Sequence, residues 1–210
     1  IPQPVAEKNG KRIALIGGGP ASLTVARDLL PLGYDVVMYD AAEHGGGMMR
    51  SQIPAFRLPI EVLDEEVNLV ANMGLECHYN HYVDSLSSVL EQDFDAIFVG
   101  TGAPKGKDLN IPGRDTNPEN LHIGIDWLDS VAFGHRDSVG ERVLVIGGGN
   151  TAMDCCRTSR RLGGKDVKVM VRRGMADMKA SEWEKDDAMG EDIPILDCHV
   201  PKEFVIENNR

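Results

Sequence analysis

Apolar residues along the chain fall into short continuous runs separated by stretches with helical spacing. The run 12–16 (RIALI) predicts a buried strand, 20–30 predicts a helix stopped by Gly33, and 35–39 (DVVMY) predicts a second strand. Strand, turn, helix and strand in that order imply a parallel pair joined by a crossover helix. The Gly- and Pro-rich stretch 41–59 is expected to be irregular, and long loops of this kind in compact domains tend to carry function. Beyond it the pattern predicts a helix over 60–73 ended by Gly74, a strand at 75–79, a helix at 85–92 and a buried strand at 95–99 (DAIFV).

The segment 109–139 carries Pro and Gly signals and one predicted helix at 125–133, and it reads as a connection. The opening pattern then returns, with a strand at 142–146 (RVLVI), a helix at 150–162 and a strand at 166–171. This is an internal repeat of strand, glycine turn, helix and strand. A helix at 182–189 and strand-like stretches at 193–200 and 203–206 close the chain. The expected fold class is α/β with two successive Rossmann-like units. The expected divisions are 1–108, a connecting segment 109–139, and 140–210.

Composition narrows the function classes. The chain is 42% hydrophobic and 26% charged, typical of a soluble globular protein. No stretch approaches the roughly 18 apolar residues of a membrane span. The net charge of −11 leaves no basic surface for nucleic acid. The four cysteines, Cys77, Cys155, Cys156 and Cys198, form no Cys-x-x-Cys pair, so no metal or iron–sulfur framework is expected within this chain. Cys155 and Cys156 read as core residues of a helix, and a reduced, cytoplasmic setting fits. The first ten residues are polar and show no signal peptide, and a start on Ile rather than Met leads to the expectation of a piece of a longer protein.

The candidate chemistry lies in two glycine turns. The first reads Gly17-Gly18-Gly19-Pro20-Ala21-Ser22. Gly17 permits a tight strand-to-helix turn, Gly19 lets the backbone approach a pyrophosphate, and Ser22 stands where a third glycine would pack helix on strand. The helix start then offers free N–H groups and partial positive charge to phosphate. Asp40 ends the next strand, where a carboxylate accepts hydrogen bonds from an adenosine ribose. The second turn reads Gly147-Gly148-Gly149-Asn150-Thr151-Ala152, with Arg172 and Arg173 at the following strand tip. Guanidinium groups there favour a ribose 2′-phosphate. The alternatives are a ligand-free βα turn at the first site and a solvated basic pair at the second. An acid after one turn and arginines after the other suit FAD and NADPH respectively, and two such sites imply hydride transfer between them.

Four segments are distinctive: GGGPAS (17–22), GGMMR with IPAFRLP (46–50 and 53–59), AIFVGTGAP (96–104), and GGGNTAMDCCR with VRRG (147–157 and 171–174). With these the chain resembles the small (beta) subunit of NADPH-dependent glutamate synthase and its relatives, including the flavin/NADPH module of dihydropyrimidine dehydrogenase. The resemblance covers about residues 9–205. It implies that Gly17, Gly18, Gly19, Pro20 and Ala21 contact the FAD pyrophosphate and that Asp40 contacts its ribose. It puts Gly46, Gly47 and Met48 on the flavin side and Arg57 on an FAD phosphate, with Val83, Thr101 and Gly102 as backbone contacts. It further implies that Gly147, Gly148, Gly149, Asn150 and Thr151 hold the NADPH pyrophosphate. Arg172 and Arg173 would take the 2′-phosphate, and Lys179 falls at a basic NADP contact. Ser51-Gln52 departs from the Tyr-Gly usual in glutamate synthase small subunits and stands closer to the dihydropyrimidine dehydrogenase form, as does Ser22.

Relative to the full family fold both units are expected to be truncated. The family's cysteine-rich iron–sulfur domain, which precedes this region, and its later Gly-Asp motif are not in this sequence. The implied partner is an electron-accepting subunit or domain with iron–sulfur clusters outside this chain. The implied mechanism passes hydride from NADPH to FAD without a catalytic acid or base. His78, His81, His122, His135 and His199 are expected to be ordinary surface residues, and His44 adjoins the glycine loop. The leading function is a glutamate-synthase-beta-like flavin oxidoreductase. The alternatives are an electron-transfer subunit of a formate dehydrogenase- or dihydropyrimidine dehydrogenase-like complex, or a non-catalytic nucleotide-binding scaffold.

Overall fold

The structure is a computed structural model that describes Gln3 and residues 7–115 and 120–205. The chain divides into two compact units, Ile1–Pro104 and Lys105–Arg210.

The first unit is an α/β layer structure. Strands β1 (Arg12–Ile16), β2 (Asp35–Tyr39), β3 (Glu76–His78) and β4 (Ala96–Val99) form a parallel sheet in the order β3-β2-β1-β4. Ile13 and Leu15 face one core with Leu23, Val36, Met38, Leu63 and Val67, while Ala14 and Ile16 face a smaller one with Val89. Burial on both faces explains why β1 reads as a continuous apolar run rather than an alternating one. Helix α1 (Pro20–Leu29) starts on a proline, whose fixed φ suits a first helical turn, and turns Leu23 and Ala26 onto the sheet. The stretch 41–59 contains a four-residue helix, α2 (Met48–Ser51). Helix α3 (Ile60–Ala71) buries Leu63 and Val67. The short α4 (Leu86–Leu90) is capped by the Ser85 hydroxyl, which accepts the Ser87 N–H at 3.2 Å.

The second unit repeats the opening arrangement. Strands β5 (Arg142–Ile146), β6 (Asp166–Met170) and β7 (Ile195–Leu196) are parallel in the order β5-β6-β7. Helix α6 (Asn150–Arg161) connects β5 to β6, and α7 (Glu182–Gly190) precedes β7. Within 109–139, helix α5 (Gly124–Ala132) packs Trp127 and Leu128 against Cys155 of α6, inside this unit. Cys156 is fully buried with Met153, Val167 and Val169. Burial pushes both thiols up to about 12, which fits packing rather than reactivity.

Two expectations near the end of the chain need correction. Of the stretch 193–200 only Ile195–Leu196 is strand. Pro194 has no N–H to give a ladder, and Cys198, at φ +55°, turns the chain away. Residues 203–205 are not strand either, because the Phe204 N–H goes to the Pro112 carbonyl (2.9 Å) instead of a sheet neighbour. Ile206 lies outside the described residues.

Candidate functional site

The first turn leaves β1 at Gly17, whose N–H donates to the Tyr39 carbonyl (2.8 Å). Gly17 has φ +97°, and a Cβ there would stand 2.5 Å from the Gly100 carbonyl oxygen, so no other residue fits. Ser22, in the third-glycine position, is fully buried. A Cβ on Gly100 would meet its hydroxyl at 2.5 Å. The glycine missing from the helix is therefore replaced by one after β4, and the close packing is kept from the other side.

Asp40 closes over this turn. One carboxylate oxygen accepts the Gly18 N–H and the other accepts the Ala42 N–H at 2.7 Å. Each oxygen keeps a lone pair for a further donor. The loop 45–47 docks from a third direction. The Gly46 N–H donates to the Gly18 carbonyl (2.8 Å), and a Cβ on Gly47 would come within 2.8 Å of the Gly19 Cα. Thr101 and Gly102 complete the ring: a Cβ on Gly17 would be 3.1 Å from the Thr101 Cα, and one on Gly102 would be 3.9 Å from the Met48 sulfur. The structure thus brings together Gly17, Gly18, Gly19, Pro20, Ala21, Asp40, Gly46, Gly47, Met48, Thr101 and Gly102. The Val83 side chain packs with Ala14, Ile16 and Val89. Arg57 is exposed on the loop after α2, where its N–H donates to the Pro54 carbonyl at 2.8 Å. His44 is exposed, 4.0 Å from Glu43.

The second turn has the same plan with different neighbours. The Gly147 N–H donates to the Met170 carbonyl (3.0 Å), matching Gly17 and Tyr39. The Gly148 carbonyl accepts the N–H groups of Lys179 (2.9 Å) and Ala180 (3.0 Å), so Lys179 stands beside the turn. Asn150 accepts the Ser181 N–H at 2.9 Å, which ties the start of α6 to the start of α7. Val171 lies against Gly148, where a Cβ would be 3.1 Å from its side chain, and Arg172 and Arg173 follow it, both exposed. The turn, Asn150, Thr151, Lys179 and the arginine tip therefore share one end of this sheet.

One feature at each turn bears on whether a diphosphate fits. Gly19 (φ −79°) and Gly149 (φ −109°) have ordinary extended backbone. A Cβ on Gly19 would meet nothing nearer than 4.0 Å, and one on Gly149 would meet nothing within 4 Å. The protein itself requires no glycine at either position. A Cβ would instead occupy the space in front of the free N–H groups of the helix, where a diphosphate approaches the backbone.

The family model for pyridine nucleotide-disulphide oxidoreductases matches residues 11–209. The chain belongs to that family. It is 34% identical to the NADPH-Fe(3+) oxidoreductase subunit beta of Geobacter sulfurreducens, over 99% of this chain and 31% of the relative. It is 32% identical to the glutamate synthase [NADPH] small chain of Azospirillum brasilense, over 97% of this chain and 45% of the relative. The chain thus spans less than half the length of these relatives. Among solved structures, Mycobacterium tuberculosis FprA in complex with NADPH superposes with a TM-score of 0.76 over 94% of this chain and 61% of that one, at 19% identity, and shares its fold.

Sequence reasoning missed Arg50, Tyr79 and Ser181 as supports of the turns. Arg50 lies in the distinctive GGMMR segment, which was the available signal, but its carboxylate partner, Asp64, lies on the next helix. Among the described residues no helix is long and apolar enough to cross a membrane, and no cluster of His, Cys, Asp or Glu is arranged to hold a metal.

Proposed function

We propose that the chain carries the FAD-binding and NADPH-binding units of a cytoplasmic oxidoreductase that hands electrons to an iron–sulfur partner. The observation that carries this reading is the repeated turn with opposite charge at its rim. Gly19 and Gly149 open the space in front of two helix starts. Asp40 stands beside one turn and Arg172 and Arg173 beside the other. The chemistry these groups supply when bound is hydride transfer from nicotinamide to flavin, followed by electron transfer outward.

The residues have distinct tasks. Asp40 orders the first turn through Gly18 and presents its remaining lone pairs to a ribose. Gly46, Gly47 and Met48 form a wall on the flavin side, with Thr101, Gly102 and Val83 contributing backbone, and Arg57 reaches an FAD phosphate. Asn150 and Thr151 open α6 toward the NADPH diphosphate. Arg172, Arg173 and Lys179 supply positive charge for the 2′-phosphate. The two relatives' names share NADPH and differ in acceptor, Fe(3+) in one and glutamate synthase in the other, although each aligns with nearly all of this chain. That pattern supports a common electron-input module whose acceptor is chosen elsewhere in the full protein.

In the full-length protein, Arg172→Ala/Arg173→Ala is expected to raise the Kd for NADPH roughly 10- to 100-fold with NADH binding unchanged. Equal loss for both nucleotides, or no loss for either, would remove the phosphate-reading role. A flavin band in the purified protein that bleaches on adding NADPH is also expected. A colourless protein that still binds NADPH would instead point to a scaffold.

A further inference from the structure

We propose that Arg50 is a positioning residue that clamps the loop 45–48 beside the first glycine turn and so sets how tightly FAD is held. This rests on the FAD reading above. The Arg50 side chain is only 9% exposed, unusual for a guanidinium outside a catalytic role. Such burial is costly unless the donors are satisfied. Here Nε donates to the Gly45 carbonyl at 2.9 Å, and a terminal nitrogen pairs with Asp64 on α3. One planar group thus joins the loop to a helix fixed in the core through Leu63 and Val67.

The loop needs such a tether. Helix α2, which carries Arg50, has four residues, far below the length at which a helix holds itself. Gly46 and Gly47 sit at φ +119° and +53°, so local backbone preference does not fix the loop's path to one course. Gly45 is held on two sides. Its carbonyl meets Arg50, and its N–H meets the Tyr79 phenol, which burial pushes up to about 12 and keeps protonated. The next residue, Gly46, donates to Gly18 of the phosphate turn (2.8 Å). The connection therefore runs from Asp64 through Arg50, Gly45 and Gly46 to the turn itself. Lysine cannot reproduce it, because a single ammonium lacks the rigid fork that reaches both acceptors.

The test uses the full-length protein with Arg50→Lys, Arg50→Met and Asp64→Asn. Amide hydrogen exchange across 45–50 is read without FAD, FAD affinity by titration and the flavin environment by visible spectrum. NADPH affinity at the second unit serves as the folding control. Arg50→Lys and Arg50→Met are expected to speed exchange at 45–50 and to weaken FAD binding roughly tenfold with a shifted flavin band. Asp64→Asn should move all three less, in the same direction, with NADPH affinity unchanged throughout. FAD affinity and loop exchange equal to the parent in Arg50→Lys would overturn the proposal and leave the FAD reading standing. Failure of the parent itself to take up FAD would overturn the FAD reading and the flavin role of Arg50 together.

Discussion

The two glycine turns share one backbone solution and differ in everything around it. In each, the first glycine donates to the last residue of the next strand, and the carbonyl of the middle glycine is bound by a loop from later in its unit. The first turn is crowded: Gly100, Asp40 and the 45–47 loop all press on it, and a Cβ on Gly17, Gly18 or Gly47 would come within 2.8 Å of another atom. The second is looser: a Cβ on Gly147 would meet only the Ala152 methyl, at 3.4 Å, and one on Gly148 would come no nearer than 3.1 Å, to the Val171 side chain. The strand-to-helix turn is thus a portable device, while how tightly it is packed is set by segments outside the motif.

The sharpest way to break this comparison is to add the same methyl to both turns. Gly17→Ala combines a left-handed φ with a backbone collision, and is expected to lose about 2–6 kcal/mol of stability. Gly147→Ala has the backbone strain without the collision and is expected to lose about 1–3 kcal/mol. Urea denaturation of the two variants should rank them in that order, and equal losses would show that crowding does not distinguish the turns.

The second unit also carries a charged clamp between the two helices that follow its turn. Arg157 of α6 bonds Glu191 (2.9 Å), Asp187 (2.9 Å) and the buried Glu184 (3.3 Å), joining α6 to α7. Arg157→Met removes the guanidinium that bonds Glu184, Asp187 and Glu191 together and is expected to cost about 3–5 kcal/mol, read from the same unfolding curves. An unchanged midpoint would mean the clamp contributes nothing.

The clamp also predicts a pH dependence. Bonds from Arg161, and then from Arg157, hold the Glu191 carboxyl below its ordinary 4.5 against the opposing effect of burial. A carboxyl with a depressed folded value stabilises the fold fully above its unfolded value. That contribution is lost as pH falls below about 4.5, because the unfolded chain takes up the proton first. The urea midpoint should therefore fall in this acidic window, and Glu191→Gln should flatten that part of the profile. An unaltered slope in Glu191→Gln would assign the acid sensitivity to other carboxylates.

The smallest expected stability change tests the diphosphate reading most directly. Gly19→Ala and Gly149→Ala introduce neither strain nor collision, so stability should hold or rise by about 0.4–1 kcal/mol. Each variant should nonetheless weaken its own nucleotide, FAD for Gly19→Ala and NADPH for Gly149→Ala. Unimpaired binding in both would mean that nothing approaches these backbones closely.

Much of this was legible along the chain. The runs 12–16, 35–39 and 142–146 appear as β1, β2 and β5 with the expected bounds. In β1 and β2, burial on both faces leaves an unbroken apolar signature, whereas β5 carries the same apolar run with Leu144 exposed. The glycine turns and their helices were legible because their geometry depends on residues adjacent in sequence. The end of the chain was less legible: Pro194 and the turn at Cys198 shortened one expected strand, and Phe204 paired with Pro112 instead of a sheet. Helix α2 was hidden within a glycine-rich stretch.

What the sequence determined by itself is the repeated strand–turn–helix–strand unit and the charge at each strand tip, since both follow from local pattern and spacing. Only the tertiary structure decided that Gly100 makes room for Ser22, that Asp40 binds Gly18, and that Arg50 reaches across to Asp64 while Asn150 reaches Ser181. Those contacts join residues 14 to 78 positions apart. Packing density and hydrogen-bond satisfaction select such partners in three dimensions, and no periodicity along one dimension records them.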